Sequence, residues 1–203
     1  GNSATSSGGG IYGFQPYGSE IAITITNSSL SGNAAKSGGA IFIQGQSSGS
    51  SLLVITDSTV SNNAAEAGQG GGIRCSDTLI RITGSIFSGN SASSSGGAVY
   101  CYGEHDDDAI AIAASSFSGN SAGYGGGAIY LGDGGLEVVN STIVNNTAVH
   151  GGGGIDSSNG PLTIISSHVA NNSAGLAGGG IMWSTYYDHK GLILNSTISS
   201  NST

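Results

Sequence analysis

The chain has 203 residues, 38 of them glycine; 37% are hydrophobic and only 8% charged, and the formal net charge of −8 sets twelve acids against Lys36, Arg74, Arg81 and Lys190. Length and apolar content suit one folded domain over 1–203, but charge this scarce, against roughly 25% in ordinary domains, excludes a conventional charged surface, and the acidic balance excludes a grip on nucleic-acid phosphate. No stretch nears the roughly eighteen continuous apolar residues of a membrane helix and no basic-then-apolar leader opens the sequence, so no membrane insertion by this segment is expected.

Read in order, the chain repeats itself. Asn2 and Ala4 precede a glycine run into Ile11; "IAITIT" at 21–26 alternates as a half-buried strand does, and Ser28, Leu30 and Asn33 follow. The second unit runs through Ala35, Ile41, "LLVIT" at 52–56, Ser58, Val60 and Asn63, and the third through Ala65, Ile73, "LIRIT" at 79–83, Ser85, Phe87 and Asn90. The fourth holds Ala92, Val99, "AIAIAA" at 109–114, Ser115, Phe117 and Asn120; the fifth Ala122, Ile129, Ser141, Ile143 and Asn146. The sixth holds Ala148, Ile155, "LTIIS" at 162–166, Ser167, Val169 and Asn172, and the last Ala174, Ile181, Ser196, Ile198 and Asn201. Successive asparagines stand 31, 30, 27, 30, 26, 26 and 29 residues apart.

A period of this length means a solenoid or a propeller, because strands of one unit cannot bury their apolar face alone. Three short strands and three turns fit each unit, so the sequence predicts an all-β fold, a single-stranded right-handed parallel β-helix of about seven coils stacked at about 4.8 Å. Equivalent residues then lie above one another. Asn33, Asn63, Asn90, Asn120, Asn146 and Asn172 should pass side-chain amide bonds from coil to coil and occupy the left-handed backbone of a tight turn. Ser58, Ser85, Ser115, Ser141 and Ser167 should form a second ladder, with alanine and glycine at narrow corners.

The pairing of "GGAVY" with "SSFSGN" and of "GGAIY" with "STIVNN" resembles the repeats of the chlamydial polymorphic outer-membrane proteins, over the whole chain. The phenylalanine of that pattern stands at Phe87 and Phe117, with Leu, Val or Ile in the other coils. The resemblance implies a surface passenger of a large, secreted, adhesive or structural protein, extracellular or at the cell surface.

Functional difference should lie where coils differ, in the segment after each glycine pair, which carries ten of the thirteen aromatics and eleven of the sixteen charges. If Ile11, Ile41, Ile73, Val99 and Ile129 point inward, the next residues form an outward row, Tyr12, Phe42, Arg74, Tyr100, Tyr130, Asp156 and Met182. The residues expected to make contacts are Tyr12, Phe42, Tyr100, Tyr130, Trp183, Tyr186 and Tyr187, offered to glycans or surface proteins; the competing reading is that the rings only cover one another as a ladder. Cys75 and Cys101 occupy matching places, so a disulfide between coils three and four is expected, against a pair of stacked thiols. Six N-x-Ser/Thr sequons, at Asn27, Asn140, Asn145, Asn171, Asn195 and Asn201, exceed only slightly the roughly four that chance gives in so Ser- and Thr-rich a chain.

The β-helix also carries polysaccharide-active enzymes, so a lyase, epimerase or hydrolase fragment is the alternative reading. Its ionisable clusters, Glu104 to Asp108 and Asp188 to Lys190, fall three coils apart, too far along the axis for two carboxylates to converge. Asp106, Asp107 and Asp108 with Asp133 are the candidate calcium ligands, against a solvated acidic turn; no cofactor is otherwise expected. Neither end shows a capping repeat, so the ends should meet adjoining repeats of a longer array or a second copy, head-to-tail. The expectation is a non-enzymatic extracellular shaft of an adhesin, appendage or fibre.

Overall fold

The computed structural model describes residues 1–15, 20–45, 51–103 and 109–203. It is an all-β solenoid in which every strand pair is parallel and in register with the equivalent strand of the next coil. Three sheets have seven strands each: one from Ile11–Phe14 to Ile181–Ser184, a second from Ala22–Thr26 to Gly191–Leu194, a third from Ser29–Ser31 to Thr197–Ser199. The first and last strands of each sheet lie about six turns apart, one fewer than the units counted in the sequence, because the last unit supplies a rung without a further full step.

The fold departs from three strands per coil. The Asn-x-Ala segment forms a fourth sheet of two-residue strands, Ala34–Ala35 to Ser173–Ala174. Two residues are too few for alternation to show in the sequence. Their pairing is nevertheless firm, since the backbone N–H of Ser91 donates to Asn63 O and that of Ser121 to Asn90 O, each at 2.9 Å.

Inside the coils lies one apolar column per inward row. Ile43, Ile55, Ile82, Val60, Phe87 and Phe117 are fully buried, and the rings of Phe87 and Phe117 stack at 4.6 Å, 8° from parallel. Rungs approach closely at the glycine pair. A Cβ on Gly127 would lie 2.0 Å from the carbonyl oxygen of Gly153, so only glycine allows this backbone spacing.

The asparagines stack as a buried ladder with one polarity. Each Nδ2 and backbone N–H donates to Oδ1 of the following coil's asparagine: Asn33 to Asn63, Asn63 to Asn90, Asn90 to Asn120, Asn120 to Asn146 and Asn146 to Asn172, all at 2.9–3.1 Å. Nδ2 also donates backwards, as from Asn120 to Phe87 O and Asn146 to Phe117 O. The left-handed backbone lies one residue earlier than expected, at Gly32, Asn62, Gly89, Gly119, Asn145, Asn171 and Ser200. A conformation that turns the chain leaves the next side chain free to face inward. The serine row works through the backbone: the N–H of Ser58 donates to Ser85 Oγ, Ser85 to Ser115, Ser115 to Ser141 and Ser141 to Ser167, while each hydroxyl donates to the carbonyl two residues before it.

Candidate contact face

The outward row of the first sheet pairs rung by rung as Tyr12, Phe42, Arg74, Tyr100, Tyr130, Asp156 and Met182. Its members consume one another's faces. Tyr12 and Phe42 stack at 5.4 Å, Arg74 Cζ sits 4.6 Å over the Phe42 ring, and Tyr100 and Tyr130 stack at 5.0 Å, 6° from parallel. Phe42, enclosed on both sides, is only 7% exposed and withdraws from the contact set. What Tyr100 and Tyr130 turn to solvent is therefore ring edge and phenol oxygen. Tyr12, on the first rung, keeps one open ring face and is 57% exposed.

Trp183 belongs elsewhere. Two residues after Ile181, it shares that residue's parity and pairs with Ser157 in the inward row. It packs against the core, its Nε1–H donating to Gly160 O at 2.9 Å. Tyr186 and Tyr187 project from the following turn, Tyr186 at 90% exposure, their backbone N–H groups held by Asn159 Oδ1 and Thr185 Oγ1. Exposed residues left out of that set include Phe14 and Tyr102 in the sheet and a row before it. Tyr124 stacks on His150 at 4.5 Å, and Leu176 stands exposed on the next rung. All three sit two residues after a repeat alanine, at 122, 148 and 174, so the offset alone would have aligned them.

Asp156 is the chemically distinctive member. It is 4% exposed, its Oδ2 lies against Gly125, and burial pushes its carboxyl up to about 6. Tyr130 is pushed up to about 12 by its own burial and then by the Asp156 charge; burial also raises Tyr100, partly offset by the Arg74 cation. Because the folded value exceeds the unfolded one near 3.8, the fold prefers the protonated acid. That stability is complete below about pH 4 and is lost as pH rises through about 6. Urea titrations from about pH 4.5 to about pH 7.5 should show this loss, and Asp156→Asn should abolish it and exceed the parent in stability at the upper end.

The expected disulfide is not made. Cys75 and Cys101 are buried, in-register thiols, Cys75 Sγ donating to Tyr100 O at 3.5 Å and Cys101 Sγ to Thr78 O at 3.8 Å. Parallel rungs hold facing Cβ atoms at about the 4.8 Å strand spacing, beyond the roughly 3.5–4.5 Å that a disulfide requires. Asp133 is half-buried on coil five, while Asp106, Asp107 and Asp108 lie outside the described residues, as does the rest of the 104–108 cluster. Among the described residues no group of three or more His, Cys, Asp or Glu could hold a metal ion. Of the sequons, Asn27, Asn140, Asn145, Asn171 and Asn195 are exposed, left-handed turn residues; Asn201 accepts from Asn172 in the ladder.

The model of the Chlamydia polymorphic membrane protein repeat matches residues 84–102 and 114–132. These two segments are similar to that repeat. They are also the two that hold the stacked Phe87 and Phe117. Polymorphic membrane protein repeats are associated with the outer membrane or cell surface and are not an enzyme family. No curated protein and no solved structure matches the chain.

Proposed function

We propose that this chain is a non-enzymatic, extracellular shaft segment of an adhesin, appendage or fibre, which makes contacts with glycans or surface proteins along the first sheet and its flanking turns. The observation that supports it is the asymmetry of decoration. Tyr12, Tyr124, Tyr186 and Tyr187 stand exposed along one sheet and its two borders, while the third sheet presents mainly serine and threonine, as in Ser29–Ser31, Thr59–Ser61 and Ser116–Ser118. Since the stacked rings show their edges, recognition proceeds through phenol hydroxyls and the open faces of the turn tyrosines, which combine apolar area with a polar tip.

The test is adhesion of chain-coated beads to immobilised acidic and neutral polysaccharides and to intact cells. Replacing Tyr12, Tyr186 and Tyr187 together by serine should reduce binding about tenfold, the loss of roughly 1.4 kcal/mol, with an unchanged circular dichroism spectrum. Equal binding by the variant rejects the face. Appearance of unsaturated or reducing sugar ends in the polysaccharide wells would instead make the chain an enzyme.

A further inference from the structure

The second sheet turns outward a row that the tyrosine face does not use, Thr24, Val54, Arg81, Ala111, Glu137 and Thr163, in register from coil to coil. Beside it runs a second outward position, the residue before each of Leu53, Ile80 and Leu136. Coils two and three fill that position with Leu52 and Leu79, whereas coil five leaves it to Gly135. On the adjacent rung the row itself shrinks to Ala111. The missing side chains open a notch of about 160 Å³, with Leu136 at its floor, Pro161 and Thr163 on the side of coil six and Glu137 at its rim. From this notch we infer that the second sheet binds the lysine side chain of a basic partner protein, the four-carbon stem lying in the notch and the ammonium on the Glu137 carboxylate.

Size, polarity and charge each narrow the occupant. The volume is below the roughly 300 Å³ at which small-molecule pockets begin, so the guest is a single side chain rather than a cofactor. The lining is mostly apolar, from Ala111, Leu136 and Pro161, and suits methylenes; lysine lays such a stem along apolar surface while its charged head stays in water. Glu137 is exposed, and among the described residues no hydrogen bond or ion pair engages its carboxylate, so an incoming cation displaces no existing partner. A sugar ring fits less well. No aromatic side chain of the described residues lines the notch to take its apolar face, and a uronic acid would meet Glu137 with like charge.

The wider field acts in the same sense. A net charge of −8 draws a basic surface in from a distance. Arg81, beyond Ala111 on the same row, lies two rungs from Glu137, roughly 9.6 Å or about one Debye length, so it steers the ammonium to the Glu137 side without cancelling the attraction.

This site is separate from the tyrosine face: replacing Tyr12, Tyr186 and Tyr187 leaves it intact, so a chain that binds lysine but not cells, or the reverse, tells the two apart. The test is nuclear magnetic resonance titration of the isotope-labelled chain with the blocked peptide acetyl-Gly-Lys-Gly-amide. The backbone amides of Ala111, Gly135, Leu136, Glu137 and Thr163 should shift and saturate at millimolar peptide. Norleucine in place of the peptide's lysine, or Glu137→Gln in the chain, should each weaken binding about threefold, the worth of one exposed ion pair. Gly135→Leu should abolish the shifts. Leucine is the residue of coils two and three at this position, and the new Cβ meets Pro161 Cγ at 3.4 Å, an ordinary contact. Should that variant lose its strand signal in circular dichroism, Ala111→Leu, which fills the notch from the neighbouring rung, takes its place. Shifts that never saturate, that survive the leucine variant, or that the norleucine peptide produces equally well overturn the proposal, as does tighter binding of maltose than of the lysine peptide at the same residues.

Discussion

Asn120→Ala should lower the free energy of unfolding by about 5 kcal/mol, read from urea titration by circular dichroism. The Asn120 side chain is fully buried and makes four hydrogen bonds: Oδ1 accepts from Asn90 N–H and Nδ2, and Nδ2 donates to Phe87 O and Asn146 Oδ1. Alanine removes all four and leaves their partners short inside the corner, at roughly 1–3 kcal/mol for each group that finds no substitute. Asn120→Asp separates chemistry from volume. It keeps the shape and the acceptor, but turns a second oxygen toward Phe87 O and Asn146 Oδ1 and buries a charge. Its penalty should therefore match or exceed that of alanine at neutral pH and shrink as the acid protonates. An Asp variant as stable as the parent at neutral pH would remove the ladder from the account of stability.

Phe117→Ala should cost about 4 kcal/mol, within the range for deleting a large buried ring and including the parallel stack with Phe87. Its register neighbours are Phe87 on one side and Ile143 on the other, and the ring is fully enclosed. Phe117→Ile, which installs the residue type of the next coil, should cost less than about 1.5 kcal/mol because most of the volume is kept. Both measurements use the same titration; an alanine variant losing under about 1 kcal/mol would mean that the column collapses to refill the space.

Much of this molecule could be read from its residues, because a solenoid converts sequence period directly into spatial adjacency. The outward row from Tyr12 to Met182 follows from parity alone, and the register pairs it in that order. Parity applied one residue further would also have turned Trp183 inward; grouping its whole segment as one decorated face obscured this. Burial was the less legible property. Phe42 and Asp156 share a row with exposed Tyr12, yet enclosure depends on which neighbours flank them: Tyr12 and Arg74 around the one, Gly125 and Met182's rung around the other. The two-residue fourth sheet escaped for a different reason, since its only sequence signature is an alanine, which reads equally well as a corner.

Most of the variation in coil length falls between the first and second sheets, while the stretch from each asparagine to the next first-sheet strand changes by no more than one residue either way from nine. A gene encoding such a rod can gain or lose a whole winding by duplication or deletion without redesigning any other winding, because each rests only on the ones beside it. The length of the rod thus becomes a quantity that evolution adjusts in steps of one repeat, independently of whatever each winding displays on its variable turn.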